Sequence, residues 1–201
     1  MIGLAGSPAH AGAKRKPSVL IVHAEANPAW VADVQSKLES STQFTAVASF
    51  DARPVTPTLA EMLPFDAVLL FNDSGFANTV TLGNNLADYV DAGGGVVCMA
   101  FTATTVSPPA GRWNPGYLSM AAGSGFVQSA AALDPLSIND QNHPILIGVA
   151  SFSGGTSSYR ASQNNVVGGA SVVARWTDGN VLVSVGQRLG RADLNFFPPS
   201  N

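Results

Sequence analysis

Few side chains in this sequence are of the types that do chemistry, and their spacing narrows what that chemistry would be. Cys98 is the only cysteine, placed in the run Val96-Val97-Cys98-Met99-Ala100-Phe101 just after Gly93-Gly94-Gly95. A catalytic thiolate needs a sharp strand-to-helix elbow, where a helix N-terminus lowers its pKa, and a later histidine and acid to activate it. Cys98 instead sits third in an apolar run with no glycine beside it. The glutamates Glu25, Glu39 and Glu61 all precede it, and His143, followed by Pro144, is the only later histidine. Cys98 is therefore expected to be a small buried hydrophobe.

Two polar clusters follow strands. His23 and Glu25 lie just past the apolar run Val19 to Val22, and Asn72 and Asp73 close the run Ala67 to Phe71. Open α/β sheets bind ligands at the carboxyl ends of their strands. There His23 would act as base or ligand and Asp73 as acid. The competing interpretation is that short polar residues simply cap turns and helix starts. No metal site is expected. No G-x-S-x-G, P-loop or post-strand G-x-G-x-x-G is present, which removes serine hydrolases and nucleotide-binding motifs of those types.

A third group lies in a Pro-, Gly- and Ser-rich excursion over residues 102–123, which carries Arg112, Trp113 and Tyr117. Aromatic rings with an arginine stack on sugar rings or anchor protein interfaces. Tyr159 and Arg160, after the Ser/Gly stretch 153–158, are expected to approach the same edge. For both groups the alternative is that the rings pack the loop onto the sheet.

The elements that must position these residues alternate. Val19 to Val22 predicts a buried strand, and Asn27-Pro28 an N-cap and first helical position for a helix carrying Trp30, Val31, Val34 and Leu38. Phe44 to Phe50 predicts a second strand, Thr56 to Leu63 a short helix capped by Thr56, and Ala67 to Phe71 a third strand. Thr79 to Asp91 predicts a helix with Leu82, Leu86 and Val90 on one face, stopped by the glycines before the strand with Cys98. Strands alternating with helices across short turns predict a doubly wound, mostly parallel sheet with helices on both faces. Beyond the excursion, Phe126 to Leu133 predicts a strand and Asn142-His143-Pro144 a turn. Ser171 to Trp176 and Val181 to Val185, joined through Asp178-Gly179, predict an antiparallel hairpin, and Leu194 to Phe197 a closing strand. The expected organisation is a flexible arm over residues 1–17 and a single α/β domain over 18–199.

Composition excludes some classes. Among 201 residues the charged fraction is 11%, well under the usual ~25%, and the net charge is −3. With Lys14, Arg15 and Lys16 as the only basic cluster, no stripe for nucleic acid exists. No apolar run reaches the ~18 residues of a membrane span. Ala9-His10-Ala11 fits the small-x-small pattern of a signal-peptidase site, but the stretch before it is short and lacks a basic start. With the low charge, this favours an extracellular or periplasmic setting over a cytoplasmic one.

Several pieces together resemble the class I glutamine amidotransferase-like superfamily, most nearly its ThuA-like (trehalose-utilisation) branch. They are Val19 to His23, Tyr89 to Gly95, Asn142-His143-Pro144-Ile145 with Gly148, Ala174 to Gly179, and Gly190-Arg191 with Asn195-Phe196-Phe197. The resemblance spans nearly all of residues 18–199 and implies a flavodoxin-like sheet. It places the catalytic elbow nearer Phe101-Thr102 than Cys98, and the histidine frequent in ThuA-like proteins near Ala100. With the Cys-His-Glu triad missing, the expected function is a cofactor-free, non-catalytic binding or structural module within a larger assembly. Protein partners or self-association, and carbohydrate, are its expected partners. The alternative is a hydrolase or related enzyme acting on a sugar-like substrate through His23, Glu25, Asp73 and Arg112.

Overall fold

A computed structural model describes residues 15–102, 108–121, 125–138, 140–156, 159–162, 165–186 and 191–198. Most of the expected arm, including the Ala9-His10-Ala11 site, lies outside the described residues. Arg15 at its end pairs with Asp66.

Strands β1 (Ser18–Ala24), β2 (Ala46–Asp51), β3 (Ala67–Asn72) and β4 (Gly95–Met99) alternate with helices α1 (Pro28–Ser40), α2 (Leu59–Met62) and α3 (Thr79–Asp91). After α3 come a single helical turn α4 (Trp113–Gly116), then β5 (Gly125–Gln128), β6 (Leu133–Asp134), β7 (Tyr159–Ser162), β8 (Ser171–Trp176), β9 (Val181–Val185) and β10 (Arg191–Leu194). Eight strands form one sheet in the order β2-β1-β3-β4-β10-β9-β8-β6, and β5 and β7 form a separate antiparallel ribbon. Strands β2, β1, β3, β4 and β10 are parallel, and β9, β8 and β6 continue antiparallel.

The unbroken apolar strands are explained by cover on both faces, since a parallel sheet flanked by helices has no solvent side. Leu20, Val22, Val68, Leu70, Val96 and Cys98 enter one core with Leu82, Leu86 and Tyr89 of α3 and Met62 of α2. Their alternates Ile21, Phe71 and Met99 enter a second core with Val34 of α1. The expected α/β architecture with helices on both faces is thus the observed one.

Local signals hold at most boundaries. Asn27 caps α1 by accepting from Ala29 N at 3.0 Å, with Pro28 next. Gly93 ends the α3 segment at φ +97°, a conformation open to glycine. Gly94 has no room for a side chain, because a Cβ there would meet the Tyr89 ring at 2.3 Å. That ring is fixed by its hydroxyl donating to Phe65 O at 2.7 Å.

Three boundaries differ from expectation. Thr58, not Thr56, caps α2, because Glu61 completes a capping box with it. The apolar stretch 126–133 splits between β5 and β6, which join different sheets. The closing strand is Arg191–Leu194 rather than Leu194–Phe197, and β10 slots between β4 and the hairpin.

Candidate functional site

In the order β2-β1-β3-β4, chain direction across the sheet reverses between β1 and β3, which opens a crevice at their carboxyl ends. Register brings polar residues to that crevice: His23 pairs with Asp51 and Phe71, and Ala24 with Asn72. The next residues, Glu25 and Asp73, emerge side by side. Ala24 O accepts from Asp73 N at 3.2 Å and from Ser74 N at 2.9 Å, so backbone bonds fix both exits.

His23 is buried and stacked on Phe71 at 6.0 Å between ring centroids. Its Nδ1 accepts from Glu25 N at 3.3 Å. Burial lowers its pKa, an effect opposed by the Asp51 charge and reinforced by Arg53. The imidazole is therefore held neutral.

Glu25 is only 2% exposed. Its Oε1 accepts from Asn27 N at 2.7 Å, which ties the carboxyl to the residue that caps α1. No donor reaches its buried Oε2 among the described residues. Burial raises its pKa most, the bond from Asn27 N opposes this, and the nearby charge of Asp73 raises it further. Adjacent like charges disfavour ionisation of the buried member, so the Glu25 carboxyl is held above its ordinary range. Arg53 feels both carboxylates, but its guanidinium bonds go to Asp51 at 2.6 and 2.9 Å, holding Asp51 at about 2.

Asp73 also lines a cleft of about 270 Å³ whose other walls are Trp30, Phe101, Phe126, Tyr159 and Phe197. These rings come from five separate segments: α1, the residue region after β4, β5, β7 and the segment after β10. Phe101 lies 5.6 Å from Phe126, 5.5 Å from Tyr159 and 5.1 Å from Phe197, measured between ring centroids. Interplanar angles of 76° and 63° to the first two make walls rather than a stack. Trp30 closes one side, 6.0 Å from Phe197 at 78°.

No protein-family profile matches the chain, and no curated protein does either. Among solved structures, a protein from Bacteroides uniformis named as ThuA-like is similar with a TM-score of 0.60. The identity is 15%, over 95% of this chain and 86% of that one. The fold is ThuA-like. At that identity the likeness shows the fold alone.

Within this ThuA-like fold the remaining expected site residues divide. Tyr159 lines the cleft together with Asp73. Arg112, Trp113 and Tyr117 of the excursion do not line it. Arg112 pairs with Asp88 and Asp91 in the last turn of α3, which runs from the carboxyl edge back to the amino edge. The excursion's arginine and rings therefore lie at the opposite end of the sheet from His23 and Asp73. Trp113 is fully buried, stacked on Tyr117 at 5.6 Å and 11° and covered by the Arg191 guanidinium at 4.3 Å. Tyr117 donates its hydroxyl to Asp91 at 2.7 Å. Arg160 is buried too: it donates to Asp178 at 2.8 Å and to Ser129 O at 2.9 Å. These side chains hold loops through burial and partners that spacing does not reveal.

The anchor for the excursion is a buried ion pair. Arg191 donates to Asp193 at 2.7 Å, to Tyr117 O at 2.6 Å and to Val96 O at 2.8 Å. Asp193 accepts from Ser119 N and Met120 N at 2.8 Å each and from Ser119 Oγ at 2.6 Å. Cys98 lies beside this pair, buried, its thiol pushed up to about 12 chiefly by burial. Phe101, just after β4, is an aromatic wall of the cleft. Among the described residues no three metal-ligating side chains converge.

Sequence reasoning found Glu25, Asp73 and Tyr159 but missed Trp30, Phe101, Phe126 and Phe197. Trp30 alone carried a signal: a large aromatic beside the helix cap at a strand's carboxyl end, 40% exposed in the structure.

Proposed function

We propose that this protein is a non-catalytic small-ligand-binding module with membership in the glutamine amidotransferase-like superfamily, exported and working within a larger assembly. The aromatic cleft with Asp73 at the switch point carries the proposal, because ligand sites combine apolar walls with a few placed polar groups. Carbohydrate is the first ligand class to test, since rings and carboxylates together suit sugar faces and hydroxyls. A phenyl ring at the elbow region and a thiol held neutral by burial support a binding role over acyl transfer. Exposed Leu136, Ile147 and Val149 support assembly with a partner surface.

Fluorescence tests it directly. Trp113 and Trp176 are fully buried, so a ligand-dependent change reports Trp30. A saturable change on titration with mono- and disaccharides, lost in Trp30→Ala, is expected. No saturable response to any small-molecule panel would overturn it. Light scattering on the purified chain addresses assembly, and a strictly monomeric mass would count against that part.

A second interpretation is an enzyme on a sugar-like substrate, favoured by the convergence of Glu25 and Asp73. Glycosidase carboxyls stand roughly 5 to 9.5 Å apart and both face the substrate, whereas Glu25 is only 2% exposed and Asp73 alone of the two lines the cleft. The pair therefore suits proton transfer better than glycosyl displacement. Product formation lost in both Glu25→Gln and Asp73→Asn would establish it.

A further inference from the structure

The binding cleft is a box rather than a platform. A sugar ring stacks on one exposed aromatic face, and a single flat ring suffices. Here the walls are inclined steeply to one another: 76° between Phe101 and Phe126, 63° between Phe101 and Tyr159, 83° between Tyr159 and Phe197, and 78° between Trp30 and Phe197. Such walls surround one compact volume from several directions. The faces of aromatic rings are electron-rich, and a cation enclosed by several of them is attracted by each.

The charges facing this volume agree. Asp73 lines it, exposed and without an ion-pair partner among the described residues. Arg53 is the charged neighbour of opposite sign, and Asp51 takes its guanidinium bonds, so those two cancel. His23 is held neutral by burial. Glu25, behind Asp73, keeps one carboxyl oxygen buried and without a donor among the described residues. The local balance is therefore negative.

We propose that the cleft binds a small organic cation, an ammonium group on a compact body, enclosed by Trp30, Phe101, Phe126, Tyr159 and Phe197 and held by Asp73. This rests on the cleft being a ligand site at all. Both a quaternary ammonium and the protonated amine of an amino sugar have the required chemistry, and the probes separate them.

The experiment is calorimetric titration of the full chain with tetramethylammonium, choline, glucosamine and glucose, checked by Trp30 fluorescence. Saturable binding of at least one cation is expected, with glucose at least tenfold weaker. Asp73→Asn should weaken the cation at least tenfold and any glucose binding by a clearly smaller factor. Phe126→Ala, at a side chain 55% exposed, should weaken the cation without unfolding the protein. Preference for tetramethylammonium and choline over glucosamine would identify a quaternary centre, and the reverse order an amino sugar. Glucose binding as tight as the cations, or cation binding indifferent to Asp73→Asn, overturns the cation assignment while leaving a binding site. No binding of any probe overturns both.

Discussion

Glu25 and Asp73 leave the adjoining ends of β1 and β3, one carboxyl buried and the other facing an aromatic cleft, and burial first, then the Asp73 charge, raises the pKa of Glu25. A carboxyl whose folded pKa lies above its unfolded value binds more protons when folded. Its contribution to stability is therefore complete below the unfolded pKa, near 4.3 for glutamate, and is lost as pH rises through the raised folded value. Glu25→Gln keeps the acceptor for Asn27 N and removes the titration. Urea unfolding from pH 4 to 8 should show wild type losing stability relative to the variant as pH rises. Parallel profiles would remove the raised Glu25 pKa.

Asp193 is predicted to be a large single contributor to stability. Asp193→Ala strands the Arg191 guanidinium in the interior and leaves Ser119 and Met120 N–H groups without their acceptor. Breaking one partner of a buried pair costs about 3–5 kcal/mol. The chemical denaturation midpoint should fall accordingly, with loosening of segment 108–121 visible in hydrogen exchange.

Trp113 and Arg112 separate structural from ligand-facing aromatics. Trp113→Ala should cost about 3–5 kcal/mol, as for other fully buried large side chains, yet leave the ligand response of Trp30 intact at temperatures where the variant is folded. Arg112→Ala, on an exposed ion pair, should barely move the melting temperature. Loss of ligand response in Arg112→Ala would return the excursion to the site.

Cys98 should resist alkylation by iodoacetamide at pH 8 in the native protein and react with one equivalent once unfolded. Burial keeps its thiol protonated and out of reach. Rapid native modification would show that the strand opens.

Continuous apolar runs, cap residues and glycine breaks determined the α/β alternation, the two helix-covered faces and the C-terminal hairpin. Each acts within a few residues: Asn27 caps its own helix, and Gly93 terminates the helix just before it. The sequence also placed His23, Glu25 and Asp73 at one sheet edge, because strands joined by β-α-β connections run parallel and end at the same edge. Only tertiary structure decided where residues 108–121 travel. Their course depends on Asp193 accepting two of their N–H groups and on Arg191 covering Trp113, contacts between distant segments with no periodic signature. The cleft was hidden for the same reason. Its rings become neighbours only when α1, β4, the β5-β7 ribbon and the chain after β10 converge on the edge that Glu25 and Asp73 occupy.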